Sequence, residues 1–287
     1  MKLATFRFGG ADRTGLVADG AVQPVRETLD ALVSGAEPTP MASPVPLADV
    51  ELLAPLTGDC RGLLCTGINY VAHQQESAAA FAAAVPEHPI LFFKTTAAVT
   101  GPYAPLELDP RVSEQFDWEV ELGVVIGRGG RDIRPEDVAA HVFGYTVVND
   151  ITARDVQHRH QQWHLGKNVD RSTPVGPWIV TADEFASPLD TELVLTVNGV
   201  EKQRAATRDM IFSVAEQIAV VSRYVALRPG DVLATGTPAG VGFARTPAEF
   251  LRPGDVVEAG IAGIGVLRNT VTAPVAAAPL VGAGVAS

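Results

Sequence analysis

The sequence predicts a β-rich α+β protein with a small N-terminal domain. Short apolar runs bounded by glycine, proline and asparagine recur along the chain. One segment shows sustained helical spacing, and a proline-rich stretch separates the first part from the rest. At 287 residues, with 47% hydrophobic and 19% charged residues, the chain has an ordinary soluble composition and enough length for one large domain with an appendage.

Taken in order, Lys2 to Phe8 alternates like a strand, Gly9-Gly10 turns, and Gly15 to Ala18 reads as its partner. Arg26 to Val33 is a candidate short helix. Gly35 to Pro40, with Pro44 and Pro46 behind it, reads as a linker. The expected limits are therefore 1–50 for the N-terminal unit and linker and 51–273 for the main domain. In the latter, Gly62 to Gly67, Ile90 to Lys94, Phe116 to Ile126, Val142 to Asn149 and Glu192 to Val197 read as strands. The last runs into Asn198-Gly199, positions that tolerate positive φ and favour a tight hairpin. Thr207 is the expected cap of a helix on which Ile211, Val214, Ile218, Val221 and Val225 recur. The similar strings Leu227 to Leu233 and Leu251 to Val257 each place a Pro-Gly turn before a strand. Residues 274–287, uncharged and rich in alanine, glycine, proline and valine, are an expected disordered tail.

A net charge of −11, with acids spread along the chain, argues against a nucleic-acid binder and against docking on anionic membranes. No run approaches a membrane span, and the first residues lack a signal-peptide core, so a cytoplasmic protein is expected. Cys60 and Cys65 form no CxxC or zinc pattern and are expected as reduced thiols.

Glu119 and Glu121 alternate in the run Phe116 to Ile126, so as a strand it points both to one face and Trp118, Val120 and Leu122 to the other. Asp150 closes the next apolar run. Adjacent strands would gather these carboxylates, a donor set for a hard divalent ion, Mg²⁺ before Zn²⁺. The polar segment from Asp150 to Lys167 follows, in which Arg154 and Gln157 share a face if helical. Its His158, His160 and His164 lack the helical spacing of a zinc pair. His73 and Glu76 would lie side by side on a helical turn, where a carboxylate raises imidazole basicity; the same residues read equally as an exposed polar turn. The alanine-rich Ser77 to Val85 reads as a mobile lid or a plain surface helix. The loop Ala234 to Gly242 exposes N–H groups to an anion but lacks a P-loop ending, which favours a carboxylate over a nucleotide.

Together these segments resemble the fumarylacetoacetate hydrolase family over roughly residues 60–272. The marks are Gly67-Ile68-Asn69-Tyr70 with His73 and Glu76, Phe92-Phe93-Lys94, Trp118 to Leu122, Asn149-Asp150 with Arg154, Asp155 and Gln157, and Gly166-Lys167 with Asp170. Gly176-Pro177, Asn198-Gly199, Thr235 to Pro238 and Gly263-Ile264-Gly265 with Asn269 complete them. The resemblance implies a mixed β-sandwich or roll with flanking helices, in a homodimer. It implies Mg²⁺ (or Mn²⁺ or Ca²⁺) on Glu119, Glu121 and Asp150, and a water-activating dyad of His73 and Glu76. It implies Lys167 as the active-site lysine, and a substrate pocket drawing on Tyr70, Arg154, Gln157, Gly236 and Thr237. Thr95-Thr96-Ala97-Ala98 after Lys94 departs from the family's usual proline and serines.

The expected reaction is metal-dependent hydrolysis of the C3–C4 bond of a small 2,4-dioxo acid to pyruvate and a carboxylic acid. Isomerisation or tautomerisation of 2-hydroxy-diene-dioates, or oxaloacetate decarboxylation, is the alternative, since both share the enolate. Non-catalytic binding of a dioxo acid is the reading from another class.

Overall fold

The computed structural model describes residues 1–78, 84–185 and 190–273. The expected tail, and part of the alanine-rich segment read as a lid, lie outside the described residues.

A twelve-stranded sheet faces a five-stranded one. The large sheet runs through Ala11–Ala18, Lys2–Phe8, Thr173–Thr181, Val142–Asn149, Val120–Ile126, Val232–Ala234, Leu63–Gly67 and Ile90–Lys94. The smaller sheet runs Val200–Ala206, Glu192–Val197, Val256–Ile261, Gly265–Thr272 and Leu106–Glu107. One core lies between them, built from Leu122, Val124, Val147, Leu193, Leu195 and Leu267. A second lies on the other face of the large sheet, built from Leu3, Leu63, Val125, Val148 and Ile179. Val124 and Val125 thus feed different cores, which is why these central strands read as continuous apolar runs. The N-terminal unit is stitched into the large sheet: Lys2 pairs with Val180 and Leu3 with Ile179.

The hairpin turns sit where the sequence puts them. Gly9 and Gly10 have φ of 59° and 78°, and Asn198 and Gly199 have 53° and 74°. The echoed Pro-Gly strings are also structurally alike. Asp231 accepts from Arg228 N–H at 2.8 Å and Asp255 from Arg252 N–H at 2.7 Å, and each turn feeds a strand.

The structure departs from the sequence reading at the long helix and at the glutamate run. The helix spans Val214–Tyr224 and is capped by Ser213, which exchanges hydrogen bonds with Glu216. Thr207 instead starts a short turn, and its hydroxyl accepts from Thr191 N–H at 3.0 Å. The Ser-Val-Ala-Glu capping box was the stronger signal. The run Phe116 to Ile126 is two strands, Phe116–Asp117 and Val120–Ile126. The ladder breaks because Glu119 N–H is taken by the Asn149 side chain at 3.0 Å.

Candidate active site

Strand register brings the carboxylates together. Val120 stands opposite Asn149 and Glu121 opposite Val148. One step further, Asp150 N–H donates to the Glu119 carbonyl at 2.8 Å. Glu119 and Asp150 therefore face each other across the end of the ladder, with Glu121 two residues along the same face. The three side chains are buried, and their oxygens lie within 4.8 Å of one another. Among the described residues, no other group of acids, histidines and cysteines gathers in this way.

Buried cations surround them. Lys167, ending the short helix His164–Lys167, places Nζ 2.6 Å from Glu119 Oε2 and 2.7 Å from Asp150 Oδ2. Lys94 pairs with Asp150 and donates to the Ile151 carbonyl at 3.1 Å. Arg154 opens the helix Arg154–Arg159 and reaches Glu119 Oε1 at 2.6 Å and Asp117 Oδ2 at 2.8 Å. On the shared face, Arg154 donates to Gln157 Oε1 at 3.1 Å. Asp117 is fixed in turn by the N–H groups of Gly242 and Phe243 at 2.7 and 3.1 Å.

Glu121 is held differently, by the backbone N–H of Gly236 at 3.0 Å. Burial, then the charges of Asp150 and Glu119, push its carboxyl well above the usual range. Burial pushes Glu119 the same way, but Lys167 and Arg154 overcome it and hold its carboxyl at about 2. Burial disfavours the Lys167 ammonium, yet Asp150 and Glu119 raise it to about 12. With every group ionised, buried Asp117, Glu119, Glu121 and Asp150 outnumber buried Lys94, Arg154 and Lys167 by one charge, the one that Glu121 resists carrying. An all-oxygen cluster with excess negative charge suits a hard divalent ion such as Mg²⁺, Mn²⁺ or Ca²⁺.

The helix Val71–Ser77 places His73 beside this cluster, with Nδ1 2.8 Å from Glu76 Oε1. Both Glu76 oxygens also accept from Gly240 N–H, at 3.0 and 2.9 Å. The glycine-rich loop therefore orients the dyad at one end and anchors Glu121 at the other. Gly236 has φ of +97°, and a Cβ there would fall 2.7 Å from Asn69 Cβ, so only glycine fits. A cavity of about 20 Å³ lies between these groups, touching His73, Glu119, Glu121, Arg154, Gln157, Lys167 and Thr237. The Thr237 hydroxyl donates to the Val120 carbonyl at 3.0 Å and accepts from Gln203 at 2.8 Å, so it is already engaged within the protein. Tyr70 is buried, but it lines a neighbouring groove with Val71 and Asp209 rather than this cavity.

Sequence reasoning assigned no role to Lys94, Asp117 or Trp163. Lys94 carried a signal, a lone lysine ending an apolar strand. Asp117 was visible only as the residue before Trp118. Trp163 lies among the polar residues before Lys167, with no local pattern to mark it.

The chain matches the family profile described as fumarylacetoacetate (FAA) hydrolase C-terminal over residues 62–272. The chain belongs to the fumarylacetoacetate hydrolase family. Residues 1–55 match a second profile, described as Rv2993c-like, N-terminal. Oxaloacetate tautomerase YisK of Bacillus subtilis (strain 168) is 43% identical over 225 residues, 78% of this chain and 74% of that protein. The fumarylacetoacetate hydrolase from psychrophilic Exiguobacterium antarcticum superposes with a TM-score of 0.85 at 38% identity, over 96% of this chain and 100% of that one. The 2-hydroxyhepta-2,4-diene-1,7-dioate isomerase from Mycobacterium marinum gives 0.80 at 32% identity, over 95% and 98%. This membership and these relatives mark the chain as an enzyme of the family, and the fold agrees with the expected β-rich α+β class. No helix among the described residues is long and apolar enough to cross a membrane.

Proposed function

We propose that this chain is a divalent-metal-dependent tautomerase of short 2-oxo dicarboxylic acids, the oxaloacetate class. The observation that carries the reading is the placing of an oriented histidine beside a buried, cation-rich carboxylate cluster, in a cavity of about 20 Å³. The tautomerase and isomerase activities named for similar proteins support it.

Glu119, Glu121 and Asp150 would hold the metal, Mg²⁺ in the first instance. When bound, such an ion supplies a Lewis acid that lowers the cost of enolate charge. The chain's own groups do the rest. His73 Nδ1 faces Glu76, which leaves Nε2 for the substrate. In the enolising direction Nε2 takes a proton from C3. Glu76 steadies the imidazolium, and the proton returns to the C2 oxygen. No water is consumed and no carbon–carbon bond breaks. Lys167 and Arg154 supply positive charge beside the developing enolate, and Gln157 and Thr237, which line the cavity, orient the carboxylates, while Gly236 acts through its hold on Glu121.

On the sequence alone C3–C4 hydrolysis ranks first, because this dyad can activate water. The same dyad can exchange a proton with carbon, and that chemistry matches the names of the similar proteins better. Decarboxylation of oxaloacetate would need the same metal and enolate, with loss of CO₂ in place of proton transfer at C3. We infer a homodimer from the resemblance and a cytoplasmic location from the sequence.

The test is to follow the enol absorbance of oxaloacetate with purified protein and Mg²⁺ while assaying pyruvate and CO₂. Tautomerisation should accelerate with no products released, EDTA should abolish it, and His73→Ala should slow it by about 10²–10⁴-fold. Stoichiometric pyruvate from an acylpyruvate, with oxaloacetate ketonisation untouched, would restore the hydrolase reading.

A further inference from the structure

The apolar side of the cavity is set by one close contact. Trp163 lies between the helices Arg154–Arg159 and His164–Lys167, so its backbone is tied to the segments that carry Arg154, Gln157 and Lys167. Its six-membered ring rests on the backbone of Gly67. A Cβ at Gly67 would come 2.5 Å from Trp163 Cζ3 and 3.0 Å from Cη2. The indole also meets Phe92 edge-on, with centroids 5.7 Å apart at 67°. Phe92 in turn lies under Lys167 Nζ, 4.8 Å from the ring centroid. Gly67, Phe92 and Trp163 line the same cavity as the glutamates.

That cavity, about 20 Å³, holds little more than one water. A bound dicarboxylate is larger than this space and extends beyond it; on the polar side lie the buried ion pairs, and on the other side the largest group it meets is the indole, wedged between Gly67 and Phe92.

We propose that Trp163, seated on Gly67, is a specificity-determining residue that sets the length of the oxo acid. It admits four-carbon 2-oxo dicarboxylates and shuts out longer acylpyruvates and seven-carbon dioates. This rests on the tautomerase reading for its substrate class, while the steric role of the indole does not depend on which reaction follows. A fixed ring excludes asymmetrically: removing it admits the long acid and does nothing for the short one. Gly67 is the seat that keeps the indole back, so a methyl there pushes the ring into the cavity.

The experiment compares kcat/KM for oxaloacetate and for 2-hydroxyhepta-2,4-diene-1,7-dioate in wild type, Trp163→Phe, Trp163→Ala, Gly67→Ala and the Gly67→Ala/Trp163→Ala double variant, all with Mg²⁺. The ratio is independent of the active fraction, so partial misfolding does not disguise the result. Trp163→Ala should shift it toward the longer acid by about tenfold or more, with Trp163→Phe between. Gly67→Ala should depress both substrates, and the double variant should behave as Trp163→Ala does. An unchanged ratio in both Trp163 variants overturns the proposal. Calorimetry with Mg²⁺ and oxalate or 2-oxoadipate keeps the two readings apart. If wild type tautomerises nothing, the proposed reaction fails, yet a selective gain of 2-oxoadipate binding in Trp163→Ala still supports the size limit. Equal affinities in wild type and variant sink it.

Discussion

Glu119, just before the strand Val120–Ile126, and Glu121, within it, point toward the same face, yet one is saturated with cations and the other is not. Glu119 lies against Lys167 and Arg154, both within 2.6 Å. Glu121 has a backbone N–H from Gly236 at 3.0 Å. The neighbours act oppositely on equally buried groups: two positive charges override the burial penalty at Glu119, whereas Asp150 and Glu119 add to it at Glu121. Residues that look interchangeable in sequence are therefore expected to divide the work. Glu119 is expected to help hold the site's framework together, and Glu121 to supply the charge left for the proposed metal ion.

The harshest way to break this contrast is Glu119→Ala. It strands two buried cations, Arg154 and Lys167, beside weakened partners. Losing one member of a buried pair costs about 3–5 kcal/mol, so the metal-free variant should unfold at much lower denaturant. Turnover should also fall, by about 10²–10³-fold or more. Denaturation curves in EDTA decide it, and wild-type stability in the variant would show that the pairs are not holding the framework.

Glu121→Gln is the sharper instrument. Glutamine keeps an acceptor for the Gly236 N–H and removes the charge that burial and two carboxylates oppose. Stability in EDTA should be unchanged or higher. Mg²⁺ at a hundredfold its dissociation constant should stabilise wild type by about 2.7 kcal/mol and the variant by almost nothing. A variant that still gains stability from Mg²⁺ would place the ion elsewhere.

How far this division was legible in the sequence can be traced residue by residue. Alternation in Glu119 and Glu121, and the position of Asp150 at the end of an apolar run, follow from strand geometry. The hairpin at Asn198-Gly199 follows from the φ it requires. What the sequence hides is anything fixed by long-range packing. Lys94 reaches Asp150 across 56 positions and Lys167 reaches Glu119 across 48. No local pattern announces such pairs, and only they tell Glu119 from Glu121. The helix start at Ser213 is legible: Thr207 and Ser213 are both capping residue types, and of the two only Ser213 has a glutamate three residues on. The seating of Trp163 on Gly67 depends on two chain segments nearly a hundred positions apart, and nothing near either residue signals it.

The mildest test uses pH in the metal-free protein, where the two glutamates pull in opposite directions. For Glu119 the folded value of about 2 lies below the ordinary 4.5, so its contribution is complete above pH 4.5 and is lost as pH falls toward 2. For Glu121 the folded value lies well above 4.5. Over that interval the folded chain keeps a proton that the unfolded chain has released, and stability falls as pH rises, by up to about 1.4 kcal/mol per pH unit. Denaturation midpoints in EDTA should therefore decline on both sides of an acidic optimum. Glu121→Gln should flatten only the upper limb, because glutamine has no proton to exchange, and the acid limb should remain. If the upper limb survives in that variant, its source is another group, and the asymmetry between the two glutamates is not electrostatic in the way their neighbours imply.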